Sequence, residues 1–181
     1  MVLDFLPQGY PGRRHAEPVV HAIGKTHMGL LELISKENQT VKPEDEIYIG
    51  DGPREKIKFI RGSLNFDKLT NYAKSILPSI VEKLVIQNEQ KFITFFNKSG
   101  VITPRMHQIE LLPGVGKKHL MDLLEERRKK SFESFADMSQ RVKLFPDPMK
   151  IIVKRILEEL EGKEKYYIFT PPPRRFEEGR Y

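Results

Sequence analysis

Short apolar runs separated by turn-forming residues fill the first third of the chain. "VLDFL" runs into "PQGYPG", and "EPVVHAIG" into "KTHMGLLELIS". After the polar stretch "ENQTVKPED" come "EIYIGDG" and "EKIKFIRG". Four or five strands of this length, punctuated by Gly, Pro and Asn, predict a small β-barrel over residues 1–62. The apolar period then lengthens. Asn65 or Asp67 caps a helix in which Leu69, Tyr72, Ala73, Ile76 and Leu77 share a face. Pro78 is placed to open the next helix, with Ile80, Val81, Leu84 and Val85 facing inward. Phe92, Phe95 and Phe96 repeat the helical spacing as a core stripe. "NKSG" breaks the pattern, and a junction is expected near residue 100, with connecting helices over 63–100. From Thr103 to about Gly162 the pattern is helical with short breaks. The three prolines of "TPPPRRFEEGRY" predict an extended, Pro-rich tail over 163–181.

Within the helical part, Thr103 caps a helix with Pro104 in its first turn and Met106, Ile109 and Leu112 on one face. Pro113 and Gly114 end it, and Gly116 opens another that carries Leu120, Leu123 and Leu124. The glycines of this "LPGVG" hairpin permit backbone conformations closed to other residues, and Val115 points down to pin the two helices. Amides at the start of the second helix have no intrahelical acceptor and carry partial positive charge, which is the chemistry of a phosphate site. Gly114, Val115 and Gly116 are therefore expected to hold a phosphate by backbone donors. Lys117 and Lys118 add full charges at its lip, and Arg127, Arg128, Lys129 and Lys130 extend the field.

Charge supports this placement. The net charge is +6, of which residues 1–100 carry +2 and residues 101–181 carry +4. A basic face attracts polyanions, nucleic acid first among them. Hydrophobic content of 39% with 31% charged residues fits a soluble protein. The chain contains no cysteine, which excludes disulfides, iron–sulfur clusters and cysteine zinc sites. "MVLDFLPQGYPGRR" lacks the features of a secretion signal, and no run reaches the roughly 18 apolar residues of a membrane span. The expected location is cytoplasmic.

"LPGVGKK" with its flanks resembles a helix-hairpin-helix motif, a DNA-backbone binder of many repair and recombination proteins. The resemblance departs at Leu120, where that motif favours alanine, so the two helices are expected to pack further apart. A shift of 33 residues recovers the pattern weakly. It sets Pro113 on Pro146, Ile109 on Val142, Leu112 on Phe145, Leu120 on Val153, Leu123 on Ile156 and Leu124 on Leu157. Residues 101–162 thus read as a tandem helix-hairpin-helix unit. Its second hairpin, "FPDP", has lost both glycines, and Asp147 would occupy the amides a phosphate needs, so copy two is expected to be structural.

A barrel followed by paired hairpins is similar in plan to the bacterial Holliday-junction recognition subunit. Across nearly the whole chain, "LPQG", "ITPR", "LLPGVGKK" and "FADMSQRVKLFPDP" resemble the archaeal family carrying domain of unknown function 655. That resemblance implies an α+β protein: an OB-like barrel with appended helices, then paired helix-hairpin-helix units, with nucleic acid as the expected partner. It implies no activity and no cofactor.

Two alternatives are kept in view. A DNA glycosylase with lyase activity would use Lys118 as Schiff-base nucleophile and Asp137 as its carboxylate, but needs a large all-helical body that this chain lacks. A protein-interaction module in an information-processing complex would use an acidic face at Glu158, Glu159 and Glu161. "GVGKKH" lacks P-loop spacing, and His21 with His27 lacks further metal ligands. His107 and His119 flank the hairpin. If the barrel contributes to binding, Tyr48, Lys56, Lys58 and Phe59 are its candidates. The partner is DNA or RNA, since phosphate is common to both.

Overall fold

The computed structural model describes residues 1–12 and 17–173. The chain divides into two compact units, residues 1–80 with 159–181, and residues 81–158. Residue 100, read from sequence as a junction, lies inside the second unit.

In the first unit, β1 (Val2–Leu6), β2 (Val19–Ile23), β3 (Leu30–Ser35) and β4 (Ile57–Ser63) form an antiparallel sheet in sequence order. Val20 lies opposite Leu33, His21 opposite Glu32 and Ala22 opposite Leu31. Alternation along each strand sends successive side chains to opposite faces. One face buries Val2, Val20, Ala22, Leu33 and Ile57 with Val41, and Phe5, Leu31, Ile47, Ile49 and Ile60 pack onto them.

The expected α+β class is seen, with a four-stranded antiparallel sheet, and closure of that sheet into a barrel is not detected: among the described residues no pairing joins β4 to β1. The stretch "EIYIG" alternates as a strand should, with Ile47 and Ile49 on the core and Tyr48 exposed. Its backbone forms no ladder, however. Only its approach is tied, where Val2 N–H donates to the Asp45 carbonyl and Glu44 N–H to the Val2 carbonyl, both at 2.9 Å. Gly50, Gly52 and Pro53 follow at once, and this turn-forming run leaves no length over which a fifth strand could pair.

A short 3-10 turn (Phe66–Lys68) leads to α1 (Asn71–Gln87). The cap is neither Asn65 nor Asp67 but Thr70, whose Oγ1 accepts the Ala73 N–H at 3.0 Å and donates to Asp4 at 2.6 Å. Pro78 does not open a new helix; α1 runs through it. A mid-helix proline costs about 3 kcal/mol. Here Leu77, Ile80, Val81, Leu84 and Val85 are all fully buried around it. Each is worth roughly 1.5–3 kcal/mol on burial, which outweighs the loss.

The stretch read as an extended tail is pinned within the same unit. The buried carboxylate of Glu159 accepts the amides of Ile168, Phe169 and Thr170 at 2.9–3.0 Å and also the Thr170 hydroxyl. Residues 174–181 of that tail lie outside the described residues.

The second unit contains α2 (Glu89–Lys98), β5 (Val101–Thr103), β6 (Met106–His107), a 3-10 turn (Gln108–Leu111), α3 (Lys117–Lys129), α4 (Phe135–Arg141) and most of α5 (Pro148–Leu160). Phe92 and Phe96 are fully buried, as the stripe requires, together with Ile109, Leu123, Met138, Ile152 and Ile156. The helix expected from Thr103 is absent. Val101–Thr103 pairs antiparallel with Met106–His107 instead, and Pro104 and Arg105 make the turn. A residue before proline is forced out of the α region, and Ile102 and Thr103 are both β-branched, so this segment extends.

Candidate functional site

The "LPGVG" hairpin is built from a 3-10 turn and α3 rather than from two α-helices. Leu112 N–H donates to the Ile109 carbonyl at 3.1 Å, and Val115 N–H to the Leu112 carbonyl at 3.2 Å. Ile109, Leu112 and Val115 are buried, but Val115 follows a 3-10 turn and does not lie between two α-helices. Gly114 has φ +79°, a conformation that L side chains rarely adopt. Gly116 differs: at φ −101°, ψ −179° it is ordinary extended backbone, and a Cβ there would meet nothing within 4 Å. It caps α3 with no side chain of its own, and its N–H faces His119 Nδ1 at 3.5 Å, whose ring also stands 3.2 Å from the Gly114 carbonyl. Leu120 N–H is the first to reach back into the helix, to the Gly116 carbonyl at 3.0 Å. The amides of Lys117, Lys118 and His119 have no intrahelical acceptor and lie at the positive end of the helix dipole.

The cations expected around this turn are deployed unequally. Lys117 Nζ pairs with Glu110 at 2.9 Å and donates to the Arg105 carbonyl at 3.2 Å. Lys117, with the His107 amide, holds the Glu110 carboxyl below its ordinary pKa. Lys118 is exposed. Arg127 turns inward and donates to the Phe96 and Ser99 carbonyls at 2.9 and 3.0 Å. Lys129 pairs with Glu126 and Glu125, and Lys130 with Glu133. Arg128 is exposed. At 1.5 Å of rise per residue, Arg128 stands roughly 15 Å along α3 from Lys118. Nothing in the sequence separated Arg127 from its neighbours, because its partners are backbone carbonyls some thirty residues away.

The repeat recurs in the backbone. Phe145 N–H donates to the Val142 carbonyl at 3.3 Å, the same bond that Leu112 makes to Ile109. Leu123 and Ile156 are both fully buried at matching positions. Asp147 caps α5 as expected: its Oδ1 accepts the Lys150 amide at 3.1 Å. The two hairpins adjoin. The ring of Phe145 stands edge-on to His119 at 5.9 Å, and a Cβ built on Gly114 would lie 3.7 Å from Pro146. Asp137 accepts the Glu133 amide and pairs with Arg141 at 3.1 Å.

In the first unit a cavity of about 690 Å³ opens beside the core face of the sheet. Ala22, Leu31, Leu33, Ile47 and Ile49 line it, and Tyr48 and His27 stand at its wall. The Lys25–Glu46 pair, 2.8 Å apart, lies at the same wall. Lys56 pairs with Asp45 at 3.6 Å, while Lys58 and Phe59 are exposed on β4. The other face of the sheet holds a cluster that sequence reasoning missed. The Tyr10 hydroxyl lies 2.8 Å from His21 Nε2 and donates to Glu32 at 2.5 Å. Arg61 pairs with the same Glu32 at 2.6 Å and with Glu17. Tyr10 gives its one proton to Glu32, so it accepts from His21 Nε2–H, and the buried His21 Nδ1 carries a lone pair with no donor. Burial holds the His21 pKa below its ordinary value, against the pull of Glu32 and Asp4. His21 and Glu32 face each other across β2 and β3, a register that only the folded sheet reveals.

Among the described residues no group of three or more His, Asp or Glu is placed to hold a metal ion. No helix there is long and apolar enough to cross a membrane.

The model of a family described as "Protein of unknown function (DUF655)" matches residues 1–171, and the chain belongs to that family. It is 42% identical to an uncharacterized protein of Methanocaldococcus jannaschii, MJ0038, over 171 residues, covering 93% of this chain and 77% of that protein. The fold is similar to the crystal structure of Af1531 from Archaeoglobus fulgidus, with a TM-score of 0.82 and 42% identity. That match covers 94% of this chain and 97% of the other.

Proposed function

We propose that this chain is a non-enzymatic nucleic-acid-binding protein that grips the phosphate backbone at the Gly114–Val115–Gly116 hairpin. The observation that carries the reading is the uncovered start of α3. Gly114 makes a left-handed turn, Gly116 caps the helix without a side chain, and Lys118 stands exposed on the first turn. The amides of Lys117, Lys118 and His119, the helix dipole and an exposed cation share the first turn of α3, which is the chemistry a phosphate calls for. Lys117 is already paired with Glu110, so Lys118 supplies the larger share of the attraction, and Arg128 steers from further along the helix.

The test is fluorescence anisotropy with labelled single- and double-stranded DNA and RNA at low and moderate salt. Wild type should bind at least one of the four with salt sensitivity, and Lys117→Glu with Lys118→Glu should abolish it. Absence of binding to all four at low salt sinks the reading. A protein-docking role is the second reading, supported by the apolar cavity of the first unit. Under it, nucleic-acid binding would be absent, and substitutions at the cavity wall would matter instead.

A further inference from the structure

The turn that leads into the second hairpin carries an unusual residue. Leu144 is 85% exposed, more than any other large apolar side chain among the described residues, and its φ is +61°. A leucine rarely adopts this left-handed conformation, and solvent gives it no reason to be there. The tip is also firmly held. On one side Val142 is buried and its amide donates to the Met138 carbonyl at 2.8 Å. On the other, the Phe145 ring packs edge-on against Phe96 and His119. The contrast with the first copy is direct. The 33-residue shift sets Leu144 on Leu111, which is half-buried and whose carbonyl accepts the Arg155 guanidinium at 3.2 Å. The same residue type is turned in at one hairpin and out at the other.

Its surroundings indicate what it meets. Pro146, two residues on, lies against Gly114, so the tip stands beside the turn assigned to phosphate, and Lys143 next to it is exposed. We propose that Leu144 is an apolar wedge that enters a base step of a nucleic-acid duplex while the first hairpin holds the adjoining phosphate. The inference rests on the reading of the Gly114 hairpin given above. Insertion of a single apolar side chain partly unstacks one step and kinks the duplex, and a clamped tip flanked by a cation and a phosphate grip is suited to it. Copy two is then a spectator at Asp147, whose carboxylate serves its own helix, but not at Leu144.

The experiment uses the full chain with DNA and RNA duplexes carrying 2-aminopurine, reading anisotropy and 2-aminopurine fluorescence on the same samples. The variants are Leu144→Gly, which suits the left-handed turn, and Leu144→Ser. Binding should raise fluorescence several-fold at a bound step in wild type. Both variants should abolish the rise, while affinity should change by no more than about threefold, because the burial of one leucine is largely offset by the cost of opening a step. Leu144→Gly should melt no lower than wild type, which separates lost insertion from lost folding. Duplex binding with no fluorescence change, or with a change that both variants retain, overturns the wedge and leaves the phosphate grip standing. Binding to neither duplex overturns the wedge; if single strands also fail to bind, the phosphate grip falls with it.

Discussion

The two glycines of the hairpin look alike in the sequence and do different work. Gly114 at φ +79° is conformationally required, so Gly114→Ala should cost about 1–2 kcal/mol in denaturant unfolding. Gly116 has ordinary extended backbone and open space around it, so a side chain fits there. Gly116→Asp should therefore cap α3 and stabilise the protein by about 0.5–1 kcal/mol. The new carboxylate would occupy the amides offered to phosphate and repel it, so nucleic-acid affinity should fall as stability rises. A Gly116→Asp protein that is more stable and binds as tightly as wild type would remove those amides from the site. His21 gives the residue scale its pH dependence. Burial holds its native pKa low, so the unfolded chain takes up a proton first as pH falls below about 6.5. Unfolding is favoured from there downward. The melting temperature should drop by a few degrees between about pH 7.5 and 5.5, above the range where the carboxylates titrate. His21→Gln should shrink that drop without removing it, because burial holds the His107 pKa low as well.

At the scale of elements, α3 divides its basic residues between folding and binding. Arg127→Ala leaves the Phe96 and Ser99 carbonyls without their donor and should cost about 1–3 kcal/mol of stability, while Arg128→Ala should leave stability unchanged and weaken binding. Thermal melts and anisotropy on both variants check the pair. Elements governed by local chemistry were legible. β1 to β4 follow from alternation and turn residues, α2 from its phenylalanines, and the Asp147 cap from its proline neighbour. The misreadings share a cause. Residues 46–50 have the pattern of a strand but lack a partner edge, which no local signal reports. Pro78 marks a helix start by propensity, and the apolar residues around it outvote that signal through burial. Thr103–Pro104 fits a helix cap, yet the constraint that proline places on its predecessor decided the outcome. The hairpin's position was legible from its glycines and lysines. The pairing of Lys117 with Glu110, the inward turn of Arg127 and the Tyr10–His21–Glu32–Arg61 cluster were not, because each depends on residues brought together only by folding.

For the whole molecule, a net charge of +6 overstates what is available to a polyanion. Lys56, Lys117, Lys129 and Lys130 are each paired with a carboxylate, so binding must release those partners or rely on other cations. Salt dependence counts the phosphates neutralised, at a slope of about −0.9 per phosphate on duplex DNA in a plot of log K against log salt. A grip confined to the hairpin and Arg128 engages roughly two phosphates, so its slope should lie near −2. Lys118→Glu should flatten that slope by about one, whereas Arg127→Ala should leave it unchanged even where affinity suffers through stability. Lys58→Glu on β4 then asks whether the first unit takes part. If it does, the wild-type slope is steeper than about −2 and Lys58→Glu brings it down by about one. If the slope stays near −2 and Lys58→Glu has no effect, nucleic acid meets only the second unit.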